Sequence, residues 1–162
     1  MIDNHNFKHY VKAMVGHFTS RRCWLVLAAL LSLALIPAMV WAGAVVAANA
    51  GHGGEELDLK PLLTVGKTNL IDFYSPFCPP CVQLAPVMER LAEKRSDLAI
   101  HKVNINRPDV RGIDWRSPLA QQFKIRQLPY FMIFSPQGKL VDQGPVAVEV
   151  VKSWLKEAGL MK

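Results

Sequence analysis

The chain has 162 residues, with 51% hydrophobic and 20% charged side chains, enough for one ordinary domain and little beyond it. The net charge is +6, and half of it falls in the first 50 residues, where Lys8, Lys12, Arg21 and Arg22 face only Asp3. No basic run is interleaved with aromatics, so the footprint of a nucleic-acid binder is missing and a solvated mixed surface is expected downstream.

The N-terminal end divides into a polar, basic stretch, residues 1–23, and an uncharged one, residues 24–48. The apolar run from Trp24 to Trp41 is long enough to span a bilayer, which takes roughly 20 residues. The aromatics at its two ends suit the interfaces. The same layout, closing on Ala48-Asn49-Ala50, also fits an export signal with a small-residue cleavage site. A retained anchor is the expectation, because the run exceeds the usual core of a cleaved signal. In either case the basic end stays on the cytoplasmic side and the rest is exported. Ser20-Arg21-Arg22-Cys23 also resembles a twin-arginine signal, but a plain positive-inside flank is the expectation. Cys23 reads as a small apolar residue at the membrane boundary.

Residues 51–68 are expected to be linker and lead-in, with Gly51–Gly54 as a flexible hinge. Asn69–Tyr74 is a short apolar run of the buried-strand kind. From Pro79 to about Lys94, Val82, Leu84, Ala85, Val87, Met88, Leu91 and Ala92 recur at helical spacing, with Pro86 expected to kink the helix. Leu98–Ile105 reads as a second strand, residues 106–118 as a loop, and Leu119–Phe123 as one or two helical turns. Tyr130–Phe134 and Leu140–Gln143 read as strands joined by a tight turn at Gly138. Ala147–Ala158 is an amphipathic closing helix that stops at Gly159. The β–α–β opening requires a right-handed crossover between parallel strands. The expected fold class is therefore α/β: a mixed four-stranded sheet flanked by helices, over residues 69–162, behind a signal or transmembrane segment.

Cys78-Pro79-Pro80-Cys81 sits where a strand hands over to a helix. Both prolines then occupy the first turn, where the N–H groups have no intrahelical partner. Cys78 stands at the positive end of the helix dipole, which lowers a thiol pKa. Cys81 lies one turn on, with a Cα separation of about 5–6 Å, suited to a disulfide. Cys78 is thus the natural attacking sulfur and Cys81 the resolving one. Other uses of the pair fit less well. Zinc wants four ligands, and no second Cys or His pair is at hand. Haem attachment would need His at position 82, which is Val82. Cu(I) could sit between two thiolates without support from a Met or His cluster. A structural disulfide across three residues would constrain little chain. No metal site is expected. A Cys–His hydrolase would need a partner imidazole. His52 falls in the linker, and His101 on a strand of unknown facing.

Asp72-Phe-Tyr-Ser-Pro-Phe-Cys-Pro-Pro-Cys81, Pro86, Ile125-Arg-Gln-Leu-Pro-Tyr130 and Gly138 together resemble the thioredoxin family, over residues 69–158. The resemblance implies a thioredoxin-like fold and thiol–disulfide oxidoreductase activity with no cofactor beyond the cysteine pair. It implies that Pro129 is a cis-proline packed beside that pair, so that the Leu128 backbone can pair with an extended substrate. Asp72 corresponds to a buried acid that takes the Cys81 proton, with Lys102 as its neighbour. Phe77, Pro79 and Gly144 would line the substrate groove. The partners implied are protein thiols and disulfides. For an exported domain, electrons are expected from a donor in the membrane, since soluble NADPH systems lie on its other side. This chain departs from the family in having Pro-Pro between the cysteines, Phe77 instead of Trp, a shortened opening unit and a longer stretch from Arg107 to Ser117. With no His between the cysteines and no N–H on either proline, a reductant is expected rather than a strong oxidant. A Cu(I) metallochaperone and a non-catalytic client-holding module are the competing functions.

Overall fold

The computed structural model describes residues 43–162. Strands β1 (Val45–Ala47), β2 (Thr68–Tyr74), β3 (Leu98–Asn104), β4 (Tyr130–Phe134) and β5 (Leu140–Gln143) form one sheet in the order β1-β3-β2-β4-β5. β3 runs parallel to both β1 and β2, while β4 is antiparallel to β2 and to β5. Helix α1 (Pro79–Lys94) makes the crossover from β2 to β3; α2 (Pro118–Gln122) and α3 (Pro145–Glu157) follow.

Alternation along the strands assigns each face its core. Leu70, Leu98, Ile100, Phe131 and Ile133 point toward α1 and α3, where they meet Met88, Leu91, Val151 and Leu155. Ile71, Phe73, Val103 and Met132 point the other way, onto Leu59, Leu119 and Ile125. Trp115, in the long loop, packs over this second core as a cover. α1 continues without a break through Pro86. α3 begins at Pro145, two residues earlier than its apolar spacing suggests, because a proline suits the first helical position.

The sheet has five strands, not four. Val45–Ala47 belong to it, although the sequence groups them with the apolar segment: short apolar residues look alike in a membrane run and on a sheet edge. Nor is Gly51–Gly54 a loose hinge. Gly54 donates to the Asn104 carbonyl at 3.0 Å and accepts from the Leu119 N–H at 3.0 Å, and both Gly53 and Gly54 are buried. A Cβ on Gly53 would strike the Asn106 carbonyl, so this glycine serves close packing. The opening helix of the fold is reduced to a 3₁₀ turn at Lys60–Leu62. Among the described residues no helix is long and apolar enough to cross a membrane. The expected span from Trp24 to Trp41 lies outside them.

Candidate active site: a disulfide at a helix N-terminus

β2 ends at Tyr74, and a tight turn then aims the chain into α1. The buried Ser75 makes that turn: its hydroxyl accepts from the Phe77 N–H at 3.1 Å and its carbonyl from the Cys78 N–H at 3.1 Å. Cys78 is the N-cap of α1, and its Sγ accepts from the Cys81 N–H at 3.3 Å. Pro79 and Pro80 fill the first turn and leave Sγ this one backbone donor from within the motif. Cys78 and Cys81 are disulfide-bonded, with a Cα separation of 5.3 Å. Both are buried, at 2% and 5% exposure, so burial does not rank the two sulfurs and position on the helix does.

The remaining residues expected at the site come from several segments of the chain. The Leu128–Pro129 peptide is cis and leads directly into β4. Gly144, the N-cap of α3, has φ +62° and donates to the Phe131 carbonyl at 2.9 Å. A side chain there would press on the Tyr130 ring, next to Pro129. Phe77 is 46% exposed and Pro79 is exposed, on either side of Cys78 in the chain.

Asp72 shares the helix-facing side of β2 with Leu70. It is 4% exposed, and its Oδ1 has no hydrogen-bond partner. Burial raises its pKa to about 7, against a smaller opposing pull from Lys102. A carboxyl titrating there can hold or release a proton at neutral pH. Lys102 is the register partner of Asp72 on β3, but the two form no direct ion pair. Its ammonium instead lies over the Tyr74 ring, 4.5 Å from the centroid. His101 points to the opposite face, where its Nε2 lies 3.3 Å from the Asn69 Oδ1 and burial lowers its pKa. It is therefore no partner for the cysteines.

Sequence reasoning assigned no role to Ser75 or Tyr74. Both are quoted in the motif, yet nothing in their spacing announces a turn-forming hydroxyl or a ring beneath an ammonium. It also missed a cleft of about 390 Å³ beside the motif, walled by Asn49, Tyr74, Phe77, Asn104, Asn106 and Arg107. Segments distant in sequence build that cleft. Arg107 is held there by two bonds to Asp114, at 2.7 and 3.1 Å.

A disulfide at a helix N-terminus, a cis-proline leading into the neighbouring strand and a buried acid on the strand that precedes the helix define a thiol–disulfide exchange protein. The family model described as Thioredoxin matches residues 60–157, and the chain belongs to the thioredoxin family and is a thiol–disulfide oxidoreductase. It is 30% identical over 97 residues to thioredoxin H5 of Arabidopsis thaliana, covering 59% of this chain and 75% of that one. A thioredoxin-like protein of Fusarium culmorum is 38% identical over 94 residues, covering 56% and 70% of the two chains. In fold, the chain is similar to the short form of spinach chloroplast thioredoxin f, with a TM-score of 0.51 at 22% identity, covering 72% of this chain and 95% of that one.

Proposed function

We propose that this chain is a membrane-tethered, extracytoplasmic thioredoxin that reduces disulfides in client proteins. The observation that carries the reductive direction is the single N–H within the motif aimed at Cys78 Sγ. Neither Pro79 nor Pro80 has an N–H to give, so a Cys78 thiolate has only this donor and the helix N-terminus to stabilise it within the motif. A reduced form with so few stabilising contacts is less favoured than in a strong oxidant, and the pair gives electrons away.

In the reduced protein the Cys78 thiolate attacks one sulfur of the client disulfide, forming a mixed disulfide and expelling the other client sulfur as a thiolate, which takes up a proton. Asp72 accepts the Cys81 proton through water. The Cys81 thiolate then attacks Cys78 Sγ and displaces the second client sulfur. The client gains two electrons, and the protein ends with the Cys78–Cys81 disulfide. The cis Leu128–Pro129 segment, Phe77 and Gly144 flank the approach, and the Leu128 backbone pairs with the extended client. Re-reduction needs a two-electron donor. A thioredoxin of the f2 type appears among the structural neighbours in complex with ferredoxin:thioredoxin reductase. For this chain, the uncharged 24–48 segment favours a donor in the membrane.

The test is a glutathione equilibrium of the full-length protein, with Cys78 and Cys81 followed by alkylation. A reversible two-electron couple well below the glutathione potential is expected, and Cys78→Ser should abolish client reduction. A strongly oxidising couple would overturn the direction. Thiols that react only after a chelator is added would replace the reading with metal transfer.

A further inference from the structure

We propose that Tyr74 is a positioning residue for the proton-transfer machinery: its ring holds the Lys102 ammonium on the Asp72 side of the sheet and thereby sets the protonation of that acid. The inference deepens the reading of Asp72 as acceptor of the Cys81 proton.

Three observations converge. Asp72 and Lys102 are register partners on β2 and β3, and Tyr74 follows Asp72 by two residues, so all three side chains project from the same face. The ammonium does not close on the carboxylate; it sits 4.5 Å from the Tyr74 centroid. The coupling also shows in both partners. Lys102 pulls the Asp72 pKa down, and after burial the Asp72 charge is what raises that of Tyr74.

A lysine has four rotatable bonds and a strongly hydrated head, and left alone it turns to water. An aromatic face gives the ammonium a seat without neutralising it. An ammonium seated on a ring acts on a nearby carboxylate through space, whereas a direct ion pair would lock the acid in its charged form and leave it a poor proton acceptor. The other groups around Asp72 are apolar or part of the reaction. β4 places Phe131 opposite Asp72, and β1 places Ala47 opposite Lys102. Lys102 and Tyr74 are the titratable side chains coupled to its charge.

The experiment is a carboxyl NMR titration of Asp72 in the full-length oxidised protein, where the cysteines do not titrate and neither client nor donor is needed. Failure of the redox reading would therefore leave this result intact. Tyr74→Leu should raise the Asp72 midpoint by roughly half a pH unit, because the ammonium is released. Tyr74→Phe keeps the ring and should leave the midpoint unchanged. Lys102→Met should raise it at least as far, and Tyr74→Leu added to Lys102→Met should raise it no further. The acidic limb of the pH–rate profile for client reduction should move in the same direction. A merely structural role predicts the opposite sign: loosened packing admits water and lowers the midpoint. A fall in Tyr74→Leu, no change, or an additional rise in the double variant would overturn the proposal.

Discussion

Asp72 shows what one buried side chain imposes on the whole domain. Its pKa rises from 3.8 to about 7 because burial penalises the carboxylate. Between those two values the folded state holds more protons than the unfolded chain, so stability is greatest below the unfolded pKa and falls as pH rises through the folded one. The oxidised protein should accordingly lose a few kcal/mol of stability between about pH 4 and 7, on the order set by three pKa units. Asp72→Asn should flatten that slope and stabilise the protein at pH 8, measured as urea midpoints across the pH range. The same variant should slow client reduction, because Cys81 loses its proton acceptor. A variant both more stable and as fast as the parent would show that the acid has no part in catalysis.

At the scale of elements, the decisive feature is the N-terminal strap. β1 adds only three residues to the sheet, but Asn49 just beyond it makes two bonds to the Asn104 backbone, accepting at 2.9 Å and donating at 2.8 Å. Asn104 closes β3 at the same end of the sheet as the disulfide. Asn49→Ala leaves its N–H without an acceptor and should cost about 1–2 kcal/mol in a denaturant titration. Asn49→Asp keeps the acceptor and should recover part of the loss. The 3₁₀ turn at Lys60–Leu62 occupies the place of a full opening helix, which explains why the lead-in looked too short for the fold.

At the scale of the molecule, the strap bears on processing. Cleavage after Ala50 would remove β1 and Asn49, leaving the β3 edge unpaired and the cleft beside Phe77 without one wall. We therefore expect the mature protein to retain residues 43–50, as a tethered protein would. Intact mass of the protein extracted from membranes tests this. A mass beginning at Gly51 would establish the cleaved signal instead. Gly43 packs against the Ala92, Arg95 and Leu98 carbonyls, at the end of α1 opposite Cys78.

Much of this was legible in the sequence. The boundaries of α1, β4 and β5 follow from apolar spacing and turn residues, both local signals. The cysteine pair follows as well, since a three-residue step at a helix start fixes a disulfide distance whatever surrounds it. Tertiary structure decided the rest, because it depends on which distant segments meet. Three apolar residues become an edge strand only when β3 lies beside them, and glycines become packing positions only when the Asn104–Arg107 backbone presses on them. A carboxyl titrates near neutrality only once helix and sheet have closed over it, and an ammonium finds a ring only when register sets Lys102 one strand from Tyr74.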